Sequence, residues 1–154
     1  MSRDDAEIVR ATPAEADALA NLHARVFEAA WDAGAFARLL QHPGAVAFIA
    51  RRATAPDAVG FILGRLAADE AEILSLGVLS ARRRQGVATR LVAALSDAAR
   101  RAAARKIYLE VAADNGDAAR LYAGLGFAEV GRRAAYYRSP TSSAQDALLL
   151  CLRL

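Results

Sequence analysis

The sequence predicts one α/β domain in which helices pack on a single layer of strands, and three observations lead to this prediction. The chain has 154 residues, the length of one ordinary domain with its own core. Hydrophobic residues make up 55% and charged residues 24%, which is typical of a folded globular protein. Strand and helix patterns occur in the order strand, two helices, three strands, helix, strand, helix, two strands. No repeat or linker divides them, so we expect residues 1–154 to form a single domain.

The first elements carry the clearest start signals. "EIVR" predicts a strand, and "ATPAEADALANLHARVF" predicts the helix that follows it. Thr12 is the expected N-cap, with Pro13 in the first turn and Glu15 completing a capping box. Residues at helical spacing then predict a face toward the core: Leu19, Leu22, Val26 and Phe27. A second helix is expected after Asp32, with three buried residues: Phe36, Leu39 and Leu40.

Three strand patterns occupy the middle of the chain. "AVAFIARR" and "AVGFILGRL" are short apolar runs joined by the turn-rich "ATAPDA", which predicts an antiparallel hairpin. "AEILSLGVL" predicts the next strand. Gly77 within it indicates a bulge or the close approach of another backbone, because glycine otherwise weakens a strand.

The second half alternates again between helix and strand. A helix is predicted from Gly86 to about Lys106, and "KIYLEVA" after it predicts a strand with Tyr108 and Glu110 on its polar face. "DAARLYAGL" predicts a short helix that ends at a glycine turn. "FAEVGRRAAYY" and "ALLLCLRL" predict the last two strands, and "RSPTSSAQD", within residues 138–146, is expected to be a mobile loop.

Composition excludes several classes of function. The start "MSRDDAEIVR" is acidic where a signal peptide is basic, and no apolar stretch is long enough for a bilayer, so we expect a cytoplasmic protein without membrane contact. Cys151 is the only cysteine, which excludes an internal disulfide. His23 and His42 have no partner at metal or triad spacing, so no metal is expected. The net charge of +3 suits an anionic ligand but is too small to indicate nucleic acid.

The stretch "SARRRQGVATRL" places three arginines, Arg82 to Arg84, immediately before a helix. A helix start carries a partial positive charge, so arginines are disfavoured there. An anion resolves the conflict, because the free N–H groups of a first helical turn bind phosphate when a glycine lets it approach. Gly86 is that glycine, although a solvated surface patch is the usual meaning of clustered charge.

"RRQGVA" also resembles the cofactor signature of the GNAT superfamily of N-acetyltransferases. "ILSLGVLSARRRQGVATRL" and "IYLEVAADNGDAARLYAGLGF" occur in the order that this family shows, so the resemblance covers nearly the whole chain. It implies the GNAT fold, a mixed and mostly antiparallel central sheet flanked by helices, with the strands splayed at a bulge near Gly77. It also implies acetyl-CoA as cosubstrate and no metal.

The resemblance further implies roles for individual residues. Glu110 matches the general base and Tyr122 the general acid of the family. Cofactor contacts are implied for three groups of residues, on the strand edge, in the pyrophosphate loop and before the next helix: Leu76, Gly77, Val78; Arg83, Arg84, Gln85, Gly86, Val87, Ala88, Thr89; and Asn115. Three aromatic residues are candidates for the acceptor site: Trp31, Tyr136 and Tyr137.

"YLEVAADNGDAARLYAGLGF" is most similar to the RimI group, whose members acetylate the N-terminal amine of a small-subunit ribosomal protein. The resemblance thus implies an N-terminal α-amine, with alanine first, as acceptor, and a monomer or weak dimer. An N-terminal amine, with a pKa of about 7.7 to 8.0, loses its proton more easily than a lysine amine near 10.4. The alternatives are a small-molecule amine, a lysine side chain, or an acetyl-CoA-binding regulator without catalysis.

Structural interpretations compete with several of these roles. Glu110 on a polar strand face is also compatible with simple solvation, and Tyr122 with a core aromatic whose hydroxyl reaches the surface. Glu70 and Glu72 are alternative bases on the earlier strand. Arg82 is assigned either to the adenosine phosphate or to solvent.

Overall fold

The computed structural model describes residues 6–52, 57–139 and 142–154, with side chains for all of these except 137–139 and 142–144. Its strands are β1 (Ala6–Arg10), β2 (Ala45–Arg52), β3 (Ala58–Ala67), β4 (Glu70–Val78), β5 (Lys106–Ala112), β6 (Ala128–Ser139) and β7 (Ser142–Arg153). Its helices are α1 (Ala16–Val26), α2 (Ala33–Gln41), α3 (Val87–Arg101) and α4 (Gly116–Gly124). Elements in these ranges follow the predicted order.

All seven strands form one sheet in the order β1-β2-β3-β4-β5-β7-β6. Neighbouring strands are antiparallel except β4 and β5, which are parallel. The mostly antiparallel sheet is therefore confirmed, and β2 with β3 is the predicted hairpin. Its connection at 53–56 lies outside the described residues.

The first two helices begin at the predicted caps. The Glu15 carboxylate accepts a 2.9 Å hydrogen bond from the Thr12 N–H, and the Thr12 hydroxyl oxygen accepts one from the Ala14 N–H at 3.3 Å. These reciprocal bonds close the capping box, which starts a short 3₁₀ turn before α1. Asp32 caps α2 by accepting the Ala35 N–H at 2.8 Å.

The predicted core faces of α1 and α2 are confirmed for the four buried residues Leu19, Leu22, Phe36 and Leu40. Val26 and Leu39 are only partly buried, although both pack against this core. Phe27 departs furthest from the prediction, because 37% of it is exposed. It lies beyond the end of α1 in an extended backbone conformation, so helical spacing no longer predicts where its side chain points.

Helices cover both faces of the sheet and enclose two cores. One core lies under α3 and α4, with four fully buried members: Ile62, Leu91, Leu95 and Ile107. The other lies under α1 and α2, with Leu19, Phe36, Phe61 and Leu63. Each such side chain stabilises the fold by about 1.5–3 kcal/mol relative to exposure, which holds the helices firmly against the sheet.

The sheet splays between β4 and β5. These strands pair only from Glu70↔Lys106 to Glu72↔Tyr108, and beyond that they separate. The bulge that accompanies the splay was predicted near Gly77 but lies at Leu74, where β4 has one more residue than β3. Gly77 meets a different requirement: a Cβ there would lie 2.9 Å from the Phe61 ring, so side chains approach this backbone too closely for any other residue.

Two later boundaries differ from the prediction. The third helix, α3, ends at Arg101 and not near Lys106, because the Ala104 N–H bonds to the Ala99 carbonyl at 2.9 Å across Ala103 in a left-handed conformation. Glycine usually occupies that position, so no sequence signal marked the stop. The prediction of a loop within 138–146 was wrong, because β6 and β7 pair as far as Ser139↔Ser142. Residues 140–141 lie outside the described ranges.

No helix in the described ranges is both long enough and apolar enough to cross a membrane.

Candidate active site

The start of α3 presents a row of backbone donors. Gly86 caps the helix at φ +80°, and the first helical hydrogen bond joins the Arg90 N–H to the Gly86 carbonyl at 3.0 Å. Within the described part of the chain, the N–H groups of residues 84–89 have no backbone or side-chain acceptor. A Cβ on Gly86 would meet nothing within 4 Å, so space above these donors is open. This geometry suits an anion.

The arginines before α3 differ in their surroundings. Arg83 Nε donates a 3.2 Å hydrogen bond to the Val78 carbonyl, which ties the loop to the end of β4. Arg84 is exposed and has a left-handed backbone, and Arg82 is partly buried. The acidic side chains that usually neutralise a helix start are absent from the first turn of α3, so the arginines add to the positive potential of the helix.

A cleft of ≈ 600 Å³ lies between the end of β4, the start of α3 and α4. Its lining includes all but one of the predicted cofactor residues: Leu76, Gly77, Val78, Arg83, Arg84, Gly86, Val87, Ala88, Thr89 and Asn115. The remaining one, Gln85, is exposed outside the lining and donates from its amide to the Ala81 carbonyl at 3.5 Å. Arg82 also lines the cleft.

Apart from Asn115 and Tyr122, sequence reasoning did not single out the residues on the α4 side of this cleft. Asp117 and Arg120 line it and form an ion pair with each other, and Ala118 and Leu121 lie beside them. Their position one turn after Asn115 on the same short helix is the signal that would have found them.

A smaller recess of ≈ 290 Å³ opens where β4 and β5 splay. Glu110 lines it from β5, and Tyr122 lines it from α4. Five residues line both the recess and the cleft, so the two cavities adjoin: Phe27, Leu76, Asn115, Ala118 and Tyr122. The site is therefore an elongated cleft with a carboxylate and a phenol at its inner end.

Tyr122 is 7% exposed, and its ring packs against Phe127 with centroids 5.3 Å apart. Burial raises the pKa of Tyr122 to about 12, because the phenolate loses its hydration. The phenol therefore keeps its proton throughout the physiological range and is available as a donor.

Glu110 is paired with an arginine of β6. Arg133 Nη2 lies 3.1 Å from Glu110 Oε1, and the Glu110 side chain is 22% exposed. Asn115 caps α4 by accepting the Ala118 N–H at 3.2 Å through Oδ1. That bond uses only the amide oxygen, so the two amide N–H donors of Asn115 stay available to a ligand.

Two of the predicted acceptor residues, Trp31 and Tyr136, do not line a common cavity among those described. Trp31 lines a separate groove of ≈ 350 Å³ with Arg38, His42 and Arg65. Tyr136 is 51% exposed, and the Arg133 guanidinium carbon lies 5.0 Å from its ring centre.

The other acceptor and base candidates lie outside these cavities or outside the described side chains. Tyr137 follows Tyr136 in β6, and its side chain lies outside the described part. The alternative bases Glu70 and Glu72 are absent from the lining of the recess, and Glu72 pairs with Arg65 at 3.4 Å.

His23, for which no role was predicted, is buried at 3% exposure in an aromatic cluster. Its ring lies 4.5 Å from that of Phe27 and 4.9 Å from that of Trp31. His23 Nδ1 accepts a 3.1 Å hydrogen bond from the Trp31 N–H, which fixes the connection between α1 and α2. Burial lowers the pKa of His23, because the cluster does not solvate the charged ring.

The sheet and the sequence agree on the class of protein, which is an enzyme that transfers acyl groups. The sequence profile described as Acetyltransferase (GNAT) family matches residues 16–127. That match spans most of the chain, so the chain belongs to the GNAT family and is an N-acetyltransferase.

Solved structures show the same fold over the full length of the chain. The ribosomal-protein-S18-alanine N-acetyltransferase from Escherichia coli is 26% identical, with a TM-score of 0.86 over 96% of this chain and 93% of that one. Arabidopsis thaliana NAA60 in complex with acetyl-CoA is 21% identical, with a TM-score of 0.83 over 97% and 98%. The spermidine/spermine N-acetyltransferase SpeG from Vibrio cholerae is 18% identical, with a TM-score of 0.77 over 97% and 92%. The curated proteins searched gave no match.

GNAT acetyltransferases use acetyl-CoA, and the residues of the cleft fit that group. Open donors at residues 84–89 and the arginines beside them suit its phosphates. The β4 edge beyond Glu72 has no partner on the β5 side among the described strands, which suits the amides of an extended pantetheine arm. No group of three or more metal-binding side chains occurs in the described residues.

Proposed function

We propose that this enzyme acetylates the N-terminal α-amine of a protein by direct transfer, and that a ribosomal protein beginning with alanine is the acceptor. One observation carries the proposal: Glu110 and Tyr122 line the same recess, which adjoins the inner end of the cleft. The likeness to the ribosomal-protein-S18-alanine N-acetyltransferase, at 26% identity and a TM-score of 0.86, supports this acceptor.

In this proposal the cleft holds the cosubstrate along its whole length. The N–H groups of residues 84–89 and Arg84 bind the pyrophosphate, and Gly86 leaves room for it. The backbone of Leu76 to Val78 pairs with the pantetheine arm, and Asn115 donates its free amide hydrogens. Bound acetyl-CoA supplies an acetyl thioester at the recess.

Glu110 acts as the general base and Tyr122 as the general acid. The Glu110 carboxylate, directly or through one water, takes the proton of the acceptor amine as the nitrogen attacks. An α-amine is a suitable acceptor because its pKa of about 7.7 to 8.0 leaves a sizeable neutral fraction near neutral pH. Tyr122 gives its proton to the departing sulfur, and its raised pKa of about 12 keeps that proton in place beforehand.

Two other acceptors are compatible with the same chemistry, a small-molecule amine and a lysine side chain. Spermidine/spermine N-acetyltransferase shares the fold with this chain, so the fold alone does not choose among acceptors. At neutral pH a lysine amine costs about 3 kcal/mol more to deprotonate than an α-amine, which favours the protein N-terminus.

The decisive experiment compares acceptors under one set of conditions. The purified protein is incubated with acetyl-CoA and three peptides: one with the N-terminal alanine sequence of ribosomal protein S18, the same peptide with a blocked N-terminus, and a blocked peptide containing lysine. Mass spectrometry locates any acetyl group. We expect acetylation of the first peptide alone, whereas no product from that peptide, or product from either blocked peptide, contradicts the proposal.

A further inference from the structure

The strand β6 contains a strained bulge beside the recess. Arg133 pairs with Ala147 and Tyr137 pairs with Gln145, so three residues of β6 face the single residue Asp146 of β7. Ala135, in the middle of these three, has φ +52°. Residues other than glycine rarely adopt this left-handed backbone conformation, which costs roughly 1–2 kcal/mol. A contact from outside the bulge must therefore hold Ala135 in it.

Asp146 supplies that constraint from the opposite strand. Its Oδ1 accepts the Ala135 N–H at 2.9 Å, and its Oδ2 accepts Arg132 Nη1 at 2.9 Å. The bond from Ala135, followed by the one from Arg132, lowers the pKa of Asp146, so the carboxylate stays charged. The Asp146 carbonyl also accepts the Ala113 N–H at 2.8 Å, which ties the bulge to the chain just beyond β5.

Arg133, which lies immediately before the bulge, contacts Glu110, the proposed general base. Arg133 lies 3.1 Å from Glu110, and its guanidinium carbon lies 5.0 Å from the Tyr136 ring centre. Arg133 lies between Arg132 and Ala135, both of which donate to the Asp146 carboxylate, so Asp146 holds both sides of the segment from which Arg133 reaches Glu110. Loss of the Asp146 carboxylate would release this segment on both sides of Arg133.

We propose that Asp146 is a positioning residue, which holds Arg132 and the left-handed Ala135 on either side of Arg133, and so keeps Arg133 directed at Glu110 and presents Tyr136 to the acceptor. It touches neither substrate, and it acts through the bulge. The proposal rests on the proposed function insofar as Glu110 is the base. The arrangement of the bulge itself is independent of which acceptor the enzyme uses.

The first test needs no acceptor and follows the bulge directly. Asp146→Asn removes the charge with little change of shape, and Asp97→Asn is the matched control, because Asp97 is an exposed carboxylate paired with Arg100 on α3. NMR then measures amide exchange at Ala135 in each folded variant. We expect exchange to accelerate about tenfold or more in Asp146→Asn alone, since the amide loses its charged acceptor. An Ala135 amide that exchanges at the wild-type rate overturns the proposal.

The second test measures kinetics on the acceptor peptide. We expect Asp146→Asn to lower kcat/KM for the acceptor about tenfold, because displacement of Glu110 and Tyr136 misplaces the acceptor amine. The KM for acetyl-CoA should stay unchanged. In an Arg133→Gln background Asp146→Asn should lower kcat/KM by clearly less than tenfold, since the contact between Arg133 and Glu110 is already lost. Equal losses for both substrates, or additive effects, overturn it. If wild type acetylates no peptide, the proposed function fails, and the exchange measurement still decides the role of Asp146.

Discussion

At the start of α3 the active site presents backbone N–H groups, whereas the wall beyond Glu110 presents charged side chains. The first region needs only a glycine at φ +80° and a helix, both formed by neighbouring residues. The second depends on contacts between strands that are distant in sequence, such as Glu110 with Arg133 and Asp146 with Arg132. Backbone donors serve any acyl-CoA-binding chain, so we propose that acceptor choice lies in the side chains of the second region.

The two regions also differ in how they respond to substitution. Side-chain changes leave backbone donors in place, so the cofactor end is sensitive mainly to changes of backbone conformation. The acceptor end is sensitive to single charges. Substitutions in the two regions should therefore separate turnover from cofactor affinity.

The largest expected effect follows from Glu110→Gln. This change keeps the shape of the side chain and removes its ability to take a proton, so kcat should fall by about 100-fold or more. Affinity for coenzyme A should stay within about twofold, because Glu110 lines the recess and not the cleft. Steady-state kinetics and calorimetry with coenzyme A measure the two quantities.

Glu72→Gln is the matched control, since Glu72 is also a paired carboxylate and lies on the neighbouring strand. It should retain wild-type turnover. If Glu72→Gln loses turnover and Glu110→Gln does not, the base is Glu72. If both variants keep wild-type turnover, neither carboxylate is the base.

A smaller effect is expected from Gly86→Ala compared with Gly124→Ala. A Cβ meets nothing within 4 Å at either position, but only Gly86 has a positive φ, at +80°. An L-residue there is strained by about 1–2 kcal/mol, which corresponds to roughly tenfold weaker coenzyme A binding if the loop relaxes away from its donor geometry. Turnover at saturating acetyl-CoA should change little.

Calorimetry with coenzyme A checks the pair, and Gly124→Ala should bind as wild type does. Arg82→Gln should weaken binding less than a bulky residue at position 86, because Arg82 contributes one charge to a site built on several backbone donors. Equal losses of coenzyme A affinity in Arg82→Gln and in the variant with a bulky residue at position 86 would contradict this division between charge and backbone.

The start of α3 was easier to predict from sequence than the wall beyond Glu110. Gly86, the arginine run and the apolar spacing of α3 are close in sequence, so local rules predicted the helix start and the residues around it. Gln85 illustrates the limit, because a position within a motif does not determine whether its side chain turns inward. The bulge at Leu74 depends on pairing between β3 and β4, and no residue type marks it.

The acceptor wall was less predictable because its geometry comes from tertiary contacts. Ala135 at φ +52° has no sequence signal, since the left-handed conformation is held by Asp146, eleven positions along the chain. Phe27 continues the apolar spacing of α1 but lies past its end, where it borders both cavities. His23 had no partner by spacing, yet the fold surrounds it with aromatic rings.

The smallest expected effect concerns His23 and the pH dependence of stability. Burial lowers the pKa of His23 below its usual value of 6.5, and in the described chain no carboxylate pairs with it. The unfolded chain therefore binds a proton near pH 6.5 that the folded chain takes up only at lower pH. Stability should be constant above about pH 7.5 and fall as the pH drops toward 5, by no more than about 1.4 kcal/mol per pH unit, the limit for one proton.

His23→Asn tests this origin, because the asparagine oxygen lies near the position of Nδ1, accepts the Trp31 N–H and does not titrate. We expect a variant that is less stable at pH 8, from the lost ring packing, but whose stability falls less between pH 7.5 and 5. His42→Asn is the matched control: His42 is exposed and its Nδ1 accepts the Gly44 N–H at 3.0 Å, so the wild-type slope should persist. Urea denaturation at each pH gives the free energy of unfolding. Since Phe27 packs on His23 and borders both cavities, a slope that disappears in His23→Asn alone would locate this pH sensitivity in the aromatic cluster beside the site.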